Sequence, residues 1–186
     1  MLTLLAPFVL PLIALLAVMI KLDSPGPVFV RLDRVGHGGR LFKLLKLRSM
    51  VSDADNHRSN IAHLNTLPWP DFKVEEDPRV TRTGRWMRRY SLDELPQLWN
   101  IVLGQMTLIG PRPCSVSVSD YELWQTERLE AMPGLMGRWQ AGGRARADFV
   151  NRCRMDIGQA RTHSLKENLW LVCTTLWSVL QSRGAF

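Results

Sequence analysis

Asp93 and Glu94 stand side by side in Ser91-Leu92-Asp93-Glu94, directly behind a stretch holding Arg79, Arg82, Arg85, Arg88 and Arg89. Adjacent carboxylates among guanidinium groups suit phosphoryl transfer. One carboxylate attacks phosphorus, the second serves a metal ion, and the arginines hold phosphate oxygens through paired N–H donors. Arg82, Arg85 and Arg88 recur every three residues, so on a helix they share one face. Two readings of that face stay open: a diphosphate clamp, or a surface turned to solvent or lipid headgroups. The carboxylates also have a plainer reading. Ser-x-x-Glu is a capping box with Ser91 as N-cap and Glu94 at the third helical position, and acids in a first turn complement the helix dipole. Catalysis fits the same geometry, because a helix N-terminus gathers phosphate beside Asp93.

Arg112 lies between Pro111 and Pro113, on a stiff backbone that aims its fork with little entropy to lose. The Gly-rich, basic stretch from Pro133 to Arg144 is either a close approach to a nucleotide or a tight turn. His37 is a lone turn histidine, read as non-catalytic. Cys114, Cys153 and Cys173 show no C-x-x-C spacing and no histidine at finger spacing, so neither a zinc site nor a disulfide framework is expected. They read as reduced thiols acting as small buried hydrophobes.

These residues need elements to hold them. Leu95, Leu98, Ile101 and Val102 continue from the carboxylate pair at helical spacing. Val28 to Leu32 reads as a strand, Gly36-His37-Gly38-Gly39 as a turn, and Leu41 to Leu47 as a second strand, giving a hairpin. Residues 51–75 are polar and irregular around Pro68-Trp69-Pro70, as in a loop or a short helix pair. Residues 164–180 carry Trp170 and Trp177 on one helical face, which fits a helix lying on lipid or one packed in a core. The 186 residues suffice for one domain with a core, and the formal charge of +7 draws an anionic partner. Composition alone does not choose between nucleic acid, a phosphorylated substrate and an acidic lipid surface.

Met1 to Ile20 is almost wholly apolar, with Thr3 as its one hydrophilic side chain. About 20 such residues make roughly 30 Å of helix, the thickness of a bilayer core. No lysine or arginine precedes Lys21 and no Ala-x-Ala closes the run, so a cleaved signal peptide is not expected. The basic residues behind it, among them Lys21, Arg31, Arg34, Lys43, Lys46 and Arg48, put the body on the cytoplasmic side. Pro7 and Pro11 leave two courses open, a kinked span or a helix that bends and returns to the face it entered.

Several segments occur together in order: Leu22-Asp23-Ser24-Pro25-Gly26-Pro27-Val28-Phe29, Lys46-Leu47-Arg48-Ser49-Met50, Asp77-Pro78-Arg79-Val80-Thr81-Arg82, Ser91-Leu92-Asp93-Glu94-Leu95-Pro96-Gln97-Leu98-Trp99-Asn100, Gly110-Pro111-Arg112-Pro113, and Pro133-Gly134-Leu135 with Trp139-Gln140. In this the chain resembles the bacterial sugar transferases, monotopic phosphoglycosyl transferases that begin glycan assembly on a polyprenyl phosphate. The Ser-Leu-Asp-Glu-Leu-Pro-Gln segment with Gly-Pro-Arg-Pro behind it is the most specific part.

The resemblance implies an α+β fold: a re-entrant membrane helix over 1–22, broken near Pro11, then a cytoplasmic, helix-rich catalytic domain over 23–186 with a short β-hairpin and an interfacial C-terminal helix. It implies a ping-pong reaction. Asp93 attacks the sugar-bearing phosphate of a UDP-sugar, UMP leaves, and a polyprenyl (undecaprenyl) phosphate takes the phosphosugar. Glu94 is expected to hold Mg²⁺, and Arg112 with Pro111, Arg79, Arg82, Arg88, Lys46 and Arg48 to line the substrate. The expected setting is the cytoplasmic face of the bacterial inner membrane. The expected partners are membrane lipid and other glycan-assembly proteins or a second copy, and not nucleic acid. Leu10 stands where the family usually has serine, and Gln105 where it usually has an acid. The rival readings are a membrane-tethered basic scaffold or anion-binding protein, and an inactive relative that scaffolds glycan assembly.

Overall fold

The computed structural model describes residues 2–68, 70–141, 148–162 and 164–181, with side chains from Ala6 onward. Helix α1 (Leu2–Asp23) continues through Pro7 and Pro11 without a break in its helical assignment. One face docks on the rest of the chain. Leu16 and Ile20 are buried against Leu47 and Met87, with Leu12, Ile13, Met19, Leu92 and Leu95 packed around them. Phe8, Leu10, Leu15, Val18 and Leu22 remain exposed. The stretch Ala6–Asp23 is long and apolar enough to cross a membrane. Leu92 and Leu95 bracket the two carboxylates, so the apolar helix and the turn carrying Asp93 share one hydrophobic cluster.

Strands β1 (Phe29–Val35) and β2 (Leu41–Leu47) form an antiparallel hairpin, paired from Phe29↔Leu47 to Val35↔Leu41. Alternation along β1 turns Phe29, Arg31 and Asp33 outward and Val30, Leu32 and Arg34 inward. The expected hairpin is present and extends through Val35. Among its described residues the region at 51–75 is a loop with one short 3₁₀ helix, Ser59–Leu64, rather than a helix pair. Arg79 secures this region: its guanidinium binds Asp77, with Nη2 2.6 Å from Oδ2, and donates to the Ala54 carbonyl at 3.0 Å.

Helix α2 (Arg82–Arg89) is capped by Thr81, whose hydroxyl accepts from Gly84 N at 3.0 Å. Gly84 is where α2 crosses the strand exit, and a Cβ there would lie 2.0 Å from the Ser49 carbonyl oxygen. After α2 the chain reverses at Ser91, which has φ +52, and enters a 3₁₀ turn, Leu92–Glu94. The capping box expected from Ser91 and Glu94 is not formed. Ser91 is left-handed and makes no side-chain cap bond, while the Glu94 carboxylate is taken by cations instead.

Helix α3 (Gln97–Val102) is tied to the hairpin by Asn100. Its Oδ1 accepts from Leu45 N at 3.0 Å, and its Nδ2 donates to the Lys43 carbonyl at 2.9 Å and to Gln105 Oε1 at 2.7 Å. One buried amide therefore replaces a missing third strand along β2, and Gln105 supplies its remaining acceptor. Strand β3 (Thr107–Ile109) pairs in parallel with β4 (Gly134–Met136), an element the sequence pattern did not reveal. Gly110 and Gly134 meet so closely that a Cβ on Gly134 would lie 2.1 Å from Gly110 N.

Helices α4 (Arg138–Ala141), α5 (Phe149–Arg161) and α6 (Leu165–Leu180) complete the chain. Leu171 and Thr175 of α6 face inward, whereas Leu165, Leu169, Trp170, Leu176, Trp177 and Leu180 are exposed. Trp170 and Trp177 therefore do not pack in the core. Cys153 is buried and Cys114 half-buried, but Cys173 lies on the exposed side of α6, contrary to the expectation for it. Gly142, Gly143 and Arg144 of the Gly-rich stretch lie outside the described residues.

Gly84→Ala tests the α2 crossing. Better helix propensity would contribute about 1 kcal/mol, but overpacking against immobile backbone costs roughly 2–3 kcal/mol. The variant is therefore expected to unfold at lower urea than the unaltered chain, and equal or greater stability would refute this crossing.

Candidate active site

Three separate segments deliver the site. Strand β2 brings Lys46, the turn after α2 brings Asp93 and Glu94, and the exit of β3 brings Arg112. Lys46 Nζ lies 2.9 Å from Glu94 Oε1 and 3.6 Å from Asp93 Oδ2. Arg112 closes on Glu94 from a second direction, with Nη1 donating to Oε2 at 3.2 Å and Nη2 to Oε1. Both Glu94 oxygens are thus taken. Asp93 is 6% exposed, and its nearest cation stands at the longer Lys46 distance.

The electrostatics follow. Burial alone would push the Glu94 carboxyl up, yet the Arg112 guanidinium and the Lys46 ammonium hold it well below the usual carboxylate range. Burial works against the Arg112 charge too, and Glu94 more than offsets it, raising the Arg112 pKa. Arg88 differs: burial dominates and lowers its pKa, against the pull of Asp93. Its Nε donates to Ser49 Oγ at 2.9 Å, and it forms no ion pair among the described residues.

Asp93, Lys46, Arg88 and Arg112 open onto one cavity of about 1150 Å³. On the same wall Arg58 lies over the Phe72 ring at 4.7 Å and Arg152 over Trp139 at 5.3 Å. Glu94 is not on the cavity wall.

The remaining expected residues divide. Arg79 reaches the wall but is bound to Asp77 and Ala54. Arg48 also reaches it, yet its Nη2 donates to the Ser24 carbonyl at 2.6 Å and its Nη1 to the Pro25 carbonyl, so it secures the turn between α1 and β1. Gly26 at that turn has φ +121, and a Cβ there would collide with Arg48. Arg82 is exposed, is not on the cavity wall, and faces Asp23. The shared arginine face of α2 is therefore split: Arg82 and Arg85 are exposed and Arg88 turns to the cavity. Pro111 directs Arg112 while its carbonyl accepts from Gly134 N at 2.8 Å. Pro11 lies within α1, away from this wall.

Other residues of the site escaped the sequence reading. Arg128 Nη2 donates to the Arg112 carbonyl at 2.9 Å and lies 2.5 Å from Asp156 Oδ2, fixing Arg112 from behind. Burial pushes the Asp156 carboxyl up to about 6 against the pull of Arg128. Gln97, which is 1% exposed, lines the cavity, and its buried Nε2 has no partner among the described residues. Arg34 sits at an inward position of β1. A charged residue at an inward strand position was a signal available in the sequence; the Arg128–Asp156 pairing left none, because its partners are 28 residues apart.

The donor set does not fit a Mg²⁺ held by the chain alone. Both Glu94 oxygens already face cations, and the described residues contain no group of three or more His, Cys, Asp or Glu placed to hold a metal.

A family model described as bacterial sugar transferase matches residues 1–182. The chain belongs to the bacterial sugar transferase family. Among curated relatives, this sugar transferase is 36% identical over 184 residues to the UDP-galactose-lipid carrier transferase of Erwinia amylovora, covering 95% of this chain and 38% of that protein. It is 36% identical over 183 residues to the exopolysaccharide production protein ExoY of Rhizobium meliloti, covering 95% of this chain and 80% of that protein. To the UDP-glucose:undecaprenyl-phosphate glucose-1-phosphate transferase of Caulobacter vibrioides it is 38% identical over 187 residues, covering 95% and 65%.

Since the folded pKa of Glu94 lies below its ordinary value of 4.5, its contribution to stability is full above that value and lost as pH falls through the lowered one. Glu94→Gln is expected to destabilise the chain by about 2–3 kcal/mol at neutral pH, because it leaves two cations unanswered. In denaturant titrations that difference should hold down to about pH 5 and shrink below about pH 4. A difference that grows on acidification would contradict the cation-bound Glu94.

Proposed function

We propose that this sugar transferase moves a sugar 1-phosphate from a UDP-sugar to a polyprenyl phosphate, undecaprenyl phosphate in a bacterium, as the first membrane step of a polysaccharide or glycan. One observation carries the reading. Of two adjacent carboxylates, Glu94 is saturated by Lys46 and Arg112, whereas Asp93 faces a basic cavity with a single longer ion pair, to Lys46 at 3.6 Å.

In the first half-reaction an Asp93 oxygen bonds to the sugar-bearing phosphorus, and the bond from that phosphorus to the bridging oxygen breaks. UMP departs with the bridging electron pair, leaving a phosphosugar-aspartate. In the second, an oxygen of the polyprenyl phosphate attacks the same phosphorus. The aspartyl oxygen leaves, which restores the carboxylate and yields a polyprenyl-diphosphate sugar. Arg88 and Arg112 hold phosphate oxygens as charge shifts, and the buried setting strengthens their attraction. Glu94 acts through Lys46 and Arg112, keeping both cations beside Asp93. Similarity to relatives that include an undecaprenyl-phosphate galactose phosphotransferase of Salmonella typhimurium supports this donor and acceptor class.

The acceptor is a lipid, and the exposed apolar faces of α1 and α6 support a membrane setting. On this reading α1 enters the cytoplasmic leaflet and bends at its prolines within one continuous helix, while Trp170 and Trp177 lie at the headgroup level.

Incubation with a UDP-sugar and no acceptor, followed by acid quench and peptide mass analysis, is expected to find a sugar phosphate on Asp93. Asp93→Asn is expected to lose the adduct and at least about 10³-fold in turnover. An Asn variant that still releases UMP at the full rate ends this reading.

A further inference from the structure

Arg34 is a cation with no listener. Strand alternation places it on the inward side of β1 with Val30 and Leu32, where an apolar residue is the rule. Its one side-chain hydrogen bond among the described residues runs to the neighbouring Asp33 carbonyl at 2.7 Å, and no carboxylate pairs with it. Most other arginines on the same wall are engaged: Arg48 with carbonyls, Arg79 with Asp77, Arg112 with Glu94, Arg128 with Asp156, and Arg152 with Asp71.

Its surroundings add to the imbalance. The end of β1 is fixed to the segment behind Arg112, with Val35 N donating to the Cys114 carbonyl at 2.9 Å. That brings two guanidinium groups of like charge to one part of the cavity, and burial together with Arg112 lowers the Arg34 pKa. Such an arrangement is unfavourable until an anion enters. Three other arginines on the wall also lack an ion pair among the described residues, but Arg88 answers Asp93, Arg58 is exposed and lies over the Phe72 ring, and Arg31 is exposed on the outward side of β1.

We propose that Arg34, with the outer N–H groups of Arg112, forms a second anion seat that receives the phosphate next to the one under attack. This rests on the proposed function, in which a diphosphate must be held across Asp93. The ligand is a phosphate monoester dianion: the departing nucleoside monophosphate in the first half-reaction, the lipid phosphate in the second. Arg88 then holds the transferred phosphoryl group. A purely structural Arg34 would instead be a side chain whose loss weakens the ligand-free fold.

The test uses the full chain in detergent, with Arg34→Gln and Arg34→Lys beside the unaltered protein. UMP affinity is read by isothermal titration, and discharge of preloaded phosphosugar-enzyme by polyprenyl phosphate is read in a separate arm. Arg34→Gln is expected to weaken UMP binding by about tenfold, with Lys recovering part of it, because Lys keeps the charge but not the fork. The ligand-free thermal midpoint is expected to stay level or rise, since one like-charge contact is removed. A loss in the UMP arm supports the seat for the nucleotide, and a loss confined to discharge supports it for the lipid phosphate. UMP affinity and discharge both within about twofold of the unaltered chain overturn the proposal. So does an Arg34→Gln chain whose ligand-free midpoint drops while neither its UMP affinity nor its discharge falls. An unaltered chain that never loads Asp93 counts against the proposed function instead, and the UMP titration still decides the role of Arg34.

Discussion

The site depends on one buried carboxylate with two cations. Glu94 receives Lys46 from β2 and Arg112 from beyond β3, and by doing so joins the hairpin, the turn after α2 and the Gly-Pro-Arg-Pro segment into one wall. Removing either cation leaves charge behind in a place largely closed to water, and that cost keeps the three segments in register. Asp93 profits by position. It sits one residue away, beside the same cations, without being consumed by them.

The basic character of the chain resolves into two kinds of arginine. Arg48, Arg79 and Arg128 are structural: they satisfy carbonyls or carboxylates, and they fix the α1–β1 turn, the 51–77 region and the backbone of Arg112. Arg34 reaches only the carbonyl of its neighbour Asp33 and Arg88 only the Ser49 hydroxyl, and both face the cavity. A net charge of +7 therefore overstates the charge available to a ligand, and the decisive quantity is how many guanidinium groups remain unpaired where the cavity is walled.

Apolar packing links this chemistry to the long helix. Leu92 and Leu95 flank the carboxylates in sequence and pack with Leu16 and Ile20 of α1, so the position of the turn carrying Asp93 is coupled to the docking of an otherwise exposed helix. Under the proposed function this coupling brings a water-soluble donor and a lipid acceptor to one carboxylate.

Local signals were readable from the chain. The apolar run became α1, alternation and a glycine turn became the hairpin, and Asp93 with Arg88 and Arg112 reached a common cavity because motif spacing places them at the ends of short elements. Long-range pairing was not readable. Nothing in the order of residues says that Glu94 would meet Lys46 across 48 positions and so abandon its capping box, or that β3 would find β4. The arginine repeat of α2 marked a face but not its neighbours, so only packing could assign Arg88 inward and Arg82 outward. Sequence alone determined which groups were available for phosphate chemistry, since that follows from residue type and local period. Tertiary structure decided which of them were already paired, because an ion pair is settled by distance in space and by the exclusion of water.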